Sequence, residues 1–195
     1  MTDGGSFDQN RFVAPSDYPV DVPALDLSLA DREGDGDLDV VIRQWELDRM
    51  AILENDGSGT LNTRHEVAAN AVPNPEQLDL VDLDGDGDLD VLSASYDDSK
   101  IAWYVNDGTG RFGPQQVITT AAVGANCVYA ADLDGDGDLD VLSASGGDSP
   151  VAWYANDGTG QFGPQQVIST EANGARCVYA ADLDGDGDLD VLSAS

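Results

Sequence analysis

The chain has 195 residues, 41% of them hydrophobic and 7% aromatic, with 38 acidic residues against 8 basic ones and a formal charge of -30. That apolar share is enough for one sizeable core, and it comes in strand-length runs between the acidic stretches, which excludes a disordered acidic tail. So negative a surface repels phosphate backbones and excludes nucleic acid as a partner; no apolar run approaches a membrane span, and MTDGGSFDQN has neither the basic start nor the apolar centre of a secretory leader.

In chain order, residues 1–23 hold a strand-like run, GSFDQNRFV, with no companion strands, and a connection. At Asp31 the run DREGDGDLDVV opens a first acidic loop leading into a strand, and NDGSGTL follows from Asn55 to Leu61. From Asp82 the pattern becomes regular: DLDGDGDLDVLSAS occupies 82–95 and recurs letter for letter at 132–145 and 182–195. Residues 82–131 and 132–181 match at about 40 of 50 positions without a gap. The chain divides accordingly into repeats at 24–75, 76–125 and 126–175, and the first half of another at 176–195.

Within one copy, four short runs alternate or cluster apolar and β-prone residues: CVYAA (127–131), LDVLSAS (139–145), VAWYA (151–155) and FGPQQVI (162–168). Turn chemistry separates them, and NDGTG reads as a tight hairpin because Asn, Asp and Gly tolerate positive φ. Nothing has helical spacing. Four antiparallel strands per repeat of about 50 residues make one blade of a β-propeller, since so small a sheet must bury both faces against its neighbours. The fold class is therefore all-β, an incomplete propeller ring of about three full blades with partial blades at both ends, the missing blades supplied by the rest of a longer chain. In the pairs Trp103–Tyr104 and Trp153–Tyr154, one ring is expected to wedge between blades and the other to face outward.

About half of the 38 acidic residues fall in the nine-residue loops that begin at Asp31, Asp82, Asp132 and Asp182. Like charges packed this closely oppose a compact turn unless a cation sits among them. Counting from Asp82, carboxylates stand at positions 1, 3, 5 and 9 (Asp82, Asp84, Asp86, Asp90), with Gly87 at position 6 for the sharp turn and the carbonyl of Asp88 at position 7. Leu83 and Leu89 point away from the ion and anchor the loop. All-oxygen ligands and a high carboxylate count favour Ca²⁺ over Mg²⁺ or softer metals. Position 12 is Ser93, Ser143 or Ser193 where an EF-hand needs glutamate, and β-runs replace its helices, so the loop is not an EF-hand. The same positions recur as Asp132, Asp134, Asp136, Asp138 and Asp140, and as Asp182, Asp184, Asp186, Asp188 and Asp190. The first loop offers Asp31, Glu33, Asp35, Asp37 and Asp39, with Arg32 as a competing charge, so three Ca²⁺ ions are expected and the first loop is a candidate for a fourth.

The loop DLDGDGDLD ahead of the strand VLSAS, together with the FG of RFGPQQVI and QFGPQQVI, resembles the FG-GAP repeats of integrin α-subunit propellers and the related bacterial VCBS repeats, over nearly the whole chain after about Pro23. SAS replaces the GAP triplet. The resemblance implies a propeller with Ca²⁺ in the hairpin loop between the first and second strands of each blade, held by the five loop positions named above, and a ligand on the opposite face.

The metal is expected to be structural, tying two strands of each blade and stabilising the fold by mass action. The two near-identical copies differ mainly at SYDDSKI against SGGDSPV and ITTAAVGAN against ISTEANGAR, both at the blade end opposite the acidic loops. Tyr96, Lys100, Glu171 and Arg176 are therefore the candidate partner-binding residues, for a protein or glycan. The expected role is a Ca²⁺-stabilised adhesion or protein-interaction module, outside the cell because such modules bind calcium weakly; the alternative is a carbohydrate-binding propeller of a secreted polysaccharide-active protein. Catalysis is not expected, because the aspartates are committed to metal and the lone His65 lies in a polar run. Cys127 and Cys177, at equivalent repeat positions, read as small buried hydrophobes and need not lie within disulfide reach.

Overall fold

A computed structural model describes residues 26–195, apart from 33, 45, 47, 59, 69–73 and 148–150. The expected strand at GSFDQNRFV and the ligand Glu33 lie outside the described residues.

The first sheet comprises β1 (Asp26–Ala30), β2 (Asp39–Gln44), β3 (Arg49–Asn55) and β4 (Leu61–Ala68). The second comprises β5 (Pro75–Val81), β6 (Asp90–Ser95), β7 (Lys100–Tyr104) and β8 (Gln116–Thr119), and the third β9 (Ala125–Ala131), β10 (Asp140–Ser145), β11 (Val151–Tyr154) and β12 (Gln166–Ser169). A two-stranded hairpin of β13 (Cys177–Ala181) and β14 (Asp190–Ala194) follows. Each sheet is an antiparallel meander in chain order, and the register repeats: Leu92 faces Trp103 in the second sheet as Leu142 faces Trp153 in the third. The first strands β1, β5, β9 and β13 pack side by side in that order, which makes the sheets blades of a β-propeller, open rather than closed into a ring.

Period-2 alternation explains the core. Successive residues of a strand point to opposite faces of the blade, and each face meets a different neighbour. Val91 and Tyr104 face the first blade and pack with Val41, Met50 and Ile52. Leu92 and Trp103 face the third and pack with Val128, Val141 and Tyr154. Both rings of the Trp103–Tyr104 pair are thus buried, which corrects the expectation that one faces outward. Tyr104 has its hydroxyl satisfied by Gln115 Nε2 at 2.8 Å, and Trp103 meets Phe162 edge-on at 6.4 Å.

The fourth strand of a blade begins at Gln116 or Gln166, later than the FG of the motif. Phe112 and Phe162 instead make isolated bridges to Asn106 and Asn156. Pro114 and Pro164 have no amide to donate, so the ladder breaks between the bridge and the strand.

Identical letters meet different surroundings along the arc. DVLSAS is buried at every position in β6 and β10, whereas in β14 its residues are largely exposed. Leu83 is 1% exposed and its equivalent Leu183 62%, because no further blade covers the hairpin among the described residues.

Candidate metal centre

Each acidic loop joins the first strand of a blade to the second. In the second blade Asp82 caps the turn from both oxygens: Oδ1 accepts from Gly85 N at 2.8 Å and Oδ2 from Gly87 N at 3.0 Å. Asp84 Oδ1 accepts from Asp86 N at 3.3 Å and Asp86 Oδ1 from Asp88 N at 2.9 Å. Gly87 has φ +96°, a conformation that any side chain would strain, which is why position 6 is glycine. The backbone therefore folds around the carboxylates, with its amides turned toward them.

Those carboxylates converge. One oxygen each of Asp82, Asp84 and Asp86 lie within 4.8 Å of one another, as do those of Asp132, Asp134 and Asp136, and of Asp182, Asp184 and Asp190. A three-carboxylate, all-oxygen cluster with no Lys or Arg ion pair to it among the described residues suits a hard divalent ion, so the donor set fits Ca²⁺.

Position 9 has a second task. Asp90 is fully buried and accepts from Leu83 N at 3.0 Å and from Asn106 N at 2.8 Å, locking the loop to the turn between the third and fourth strands. Asp140 repeats this with Leu133 N at 2.9 Å and Asn156 N at 2.8 Å. Burial pushes the Asp90 carboxyl up to about 6, against the pull of the two amides and with the help of the Asp84 and Asp86 charges. Burial raises Asp140 and Asp84 as well, Asp84 with its neighbour Asp86 contributing. A cation bound beside these carboxylates would favour their charged forms and pull all three back down. At position 7 the carboxylates of Asp88 and Asp138 lie over Gly108 and Gly158 of the hairpin turn, and Asp37 lies over Gly57.

The first loop keeps the same turn, with Asp31 accepting from Asp35 N at 3.0 Å and Gly36 N at 2.9 Å, and Asp35 from Asp37 N at 2.9 Å. Its difference is Arg32, which occupies the place of Leu83. The buried guanidinium stands 3.5 Å from Asp39 Oδ2 and 3.7 Å from Glu54 Oε2, and donates to the Gly110 carbonyl at 2.7 Å. Position 9 of this loop thus already has a positive partner.

Sequence reasoning missed Asn106 and Asn156. Asn156 donates to Leu139 O of its own loop at 2.9 Å and to Leu83 O of the preceding blade's loop at 2.8 Å. Asn106 does the same to Leu89 O at 3.0 Å and Arg32 O at 3.5 Å. The asparagine opening each NDGTG turn was a visible signal, read only as turn chemistry. The leucine anchors hold where a blade follows: Leu83 is buried in the core and Leu139 packs against it.

At the opposite end of the first strands, Tyr96 and Arg176 line one polar pocket of about 370 Å³ with Asn74, Glu76 and Asn126. Lys100 is instead paired with Asp98 at 2.7 Å, and Glu171 is exposed in the connection before β13, outside this pocket. His65 sits on β4 opposite Ile52, and its side chain lies outside the described ones.

No curated protein matches the sequence. Among solved structures, a lectin of Agrocybe aegerita, described for its specific recognition of non-reducing terminal N-acetylglucosamine, is 21% identical with a TM-score of 0.63, covering 86% of this chain and 46% of the lectin. The Tc holotoxin pore of Photorhabdus luminescens is 22% identical with a TM-score of 0.52, covering 89% of this chain and 8% of the toxin chain. The chain therefore spans less than half the length of either, and the likeness is one of fold. A family model described as the FG-GAP-like repeat matches three times, at 31–93, 82–143 and 132–193, each match running from one acidic loop through the next. With loops, blades and register all recurring in that frame, the chain belongs to the FG-GAP-like repeat family.

Proposed function

We propose that this chain is a Ca²⁺-stabilised propeller segment of a non-catalytic recognition module, acting in adhesion or protein–protein interaction outside the cell. The observation that carries the reading is the convergence of three carboxylates in each of the three identical loops, with oxygens within 4.8 Å of one another. Asp82, Asp84 and Asp86 and their equivalents would hold the ion, with position 9 and the position 7 carbonyl completing the set that the family resemblance implies. The ion would supply charge neutralisation and a fixed turn, leaving the opposite face rigid and free to meet a partner. Extracellular calcium is abundant enough for sites of modest affinity, which supports the location. Isothermal titration of EDTA-stripped, folded protein tests the reading: uptake of three Ca²⁺ per chain is expected, and no uptake would sink it.

A second reading, glycan binding, is favoured by the pocket at the opposite face. Tyr96, half-exposed, offers an aromatic surface beside the amides of Asn74 and Asn126 and the charges of Glu76 and Arg176, a mixture suited to a sugar ring and its hydroxyls. The lectin likeness supports it at the level of fold. Glycan-array binding that is lost in Tyr96→Ala would promote it over the protein partner.

A further inference from the structure

The sequence gives no reason to pair Cys127 with Cys177, which stand fifty residues apart at equivalent repeat positions. The fold brings them together. β9 and β13 are neighbouring first strands, and the Val178 amide donates to Cys127 Sγ at 3.1 Å, so the residue next to Cys177 touches the Cys127 sulfur. Peptide geometry puts Cys177 Cα about 2.4 Å from that amide nitrogen, hence within about 5.5 Å of the Cys127 sulfur. Cys127 Sγ also lies 3.7 Å from the Val178 carbonyl, and the two cysteines line one cleft of about 290 Å³. Both are free thiols, Cys127 buried and Cys177 exposed, which corrects the expectation that both are buried.

We infer that Cys127 and Cys177 form a redox-reactive pair that closes to a disulfide, covalently joining the third blade to the β13–β14 hairpin when a low-molecular-weight disulfide is present. The exposed Cys177 reacts first: as thiolate it attacks oxidised glutathione, forming a mixed disulfide and releasing one glutathione thiolate. Cys127 then gives up its proton and attacks the Cys177 sulfur, releasing the second. Two protein thiols are oxidised by two electrons, and one glutathione disulfide is reduced to two thiols. Burial first, and the neighbouring Cys177 thiol second, push Cys127 up to about 12, so its thiolate is scarce and the second step is the slow one.

The test is incubation of the full chain with oxidised glutathione, followed by intact mass and tryptic mapping without reductant; cleavage after Arg111 and Arg176 separates the two cysteines. The expected result is a transient glutathione adduct on Cys177 that converts to a monomer lacking two hydrogens, with the Cys127 peptide linked to the Cys177 peptide and a melting temperature raised until reductant is added. Cys127→Ser should stop at the stable adduct, and Cys177→Ser should not react. Wild-type protein that stops at the adduct, or that forms only Cys177–Cys177 dimers, would overturn the inference without recourse to either variant.

Discussion

Stripping Ca²⁺ from the three identical loops should lower the melting temperature by tens of degrees. With oxygens no more than 4.8 Å apart, each pair of carboxylates in a loop repels by about 1 kcal/mol in water and about 3 to 4 kcal/mol at an effective dielectric of 20. Three such pairs per loop give a gross repulsion of about 3 to 10 kcal/mol, of which the ion's own desolvation offsets the larger part. The net follows from mass action: for affinities of about 0.1 to 1 mM and about 10 mM free calcium, each loop contributes about 1.4 to 2.7 kcal/mol. Three loops contribute about 4 to 8 kcal/mol, and at about 2 to 4 °C per kcal/mol for a chain of this length the shift is about 10 to 30 °C. The assay is calorimetric or circular-dichroism melting in excess EDTA and in excess calcium, with magnesium at matched ionic strength as the control. Superimposable curves, from protein that is folded at the start in both, would refute the reasoning.

The metal-free protein should respond to acid in the direction opposite to the loaded one. The folded pKa of Asp90 is raised to about 6, so its stabilising contribution is full below the ordinary carboxylate range and lost as pH rises through about 6, and the upward shifts of Asp140 and Asp84 act in the same direction. Melting in EDTA should therefore rise from pH 7 to pH 5, whereas with saturating calcium it should fall, as protons displace the ion. Asn156→Ala removes donors to the carbonyls of two loops and should cost about 2 to 4 kcal/mol in urea unfolding, with weaker calcium uptake by the flanking loops; unchanged uptake would separate the asparagine from the metal. Gly160 and Gly174 share φ +75°, but a Cβ at Gly160 would stand 2.2 Å from the Trp103 ring while none is crowded at Gly174. Gly174→Ala should cost about 1 to 2 kcal/mol for the backbone alone, and Gly160→Ala a further 1 to 3 kcal/mol, read from denaturation midpoints.

The repeat, its strands and the acidic loops were legible because they are written locally: DLDGDGDLD recurs intact, and period-2 runs with turn residues between them leave few other folds. What decides contacts between blades is the relative placement of sheets, and no single strand carries it. Trp103 lies under Gly160 of the next blade, and Arg32 reaches the carbonyl of Gly110, 78 residues on. Arg32 read as a charge competing at the metal, yet its guanidinium is turned to Asp39 and Glu54 in the space the other loops give to leucine. One ring of the Trp103–Tyr104 pair read as facing outward because the second neighbour of a blade is invisible along one strand. The meeting of Cys127 and Cys177 is of the same kind.

The segments 82–95, 132–145 and 182–195 are chemically one peptide in three settings. Between their first and last residues, intrinsic amide exchange rates are equal residue for residue, so resonance-resolved differences among the copies isolate what an adjoining blade adds to local protection. The molecule thereby supplies its own reference state for coupling between repeats, with the sparsely covered copy as baseline and the enclosed ones as signal.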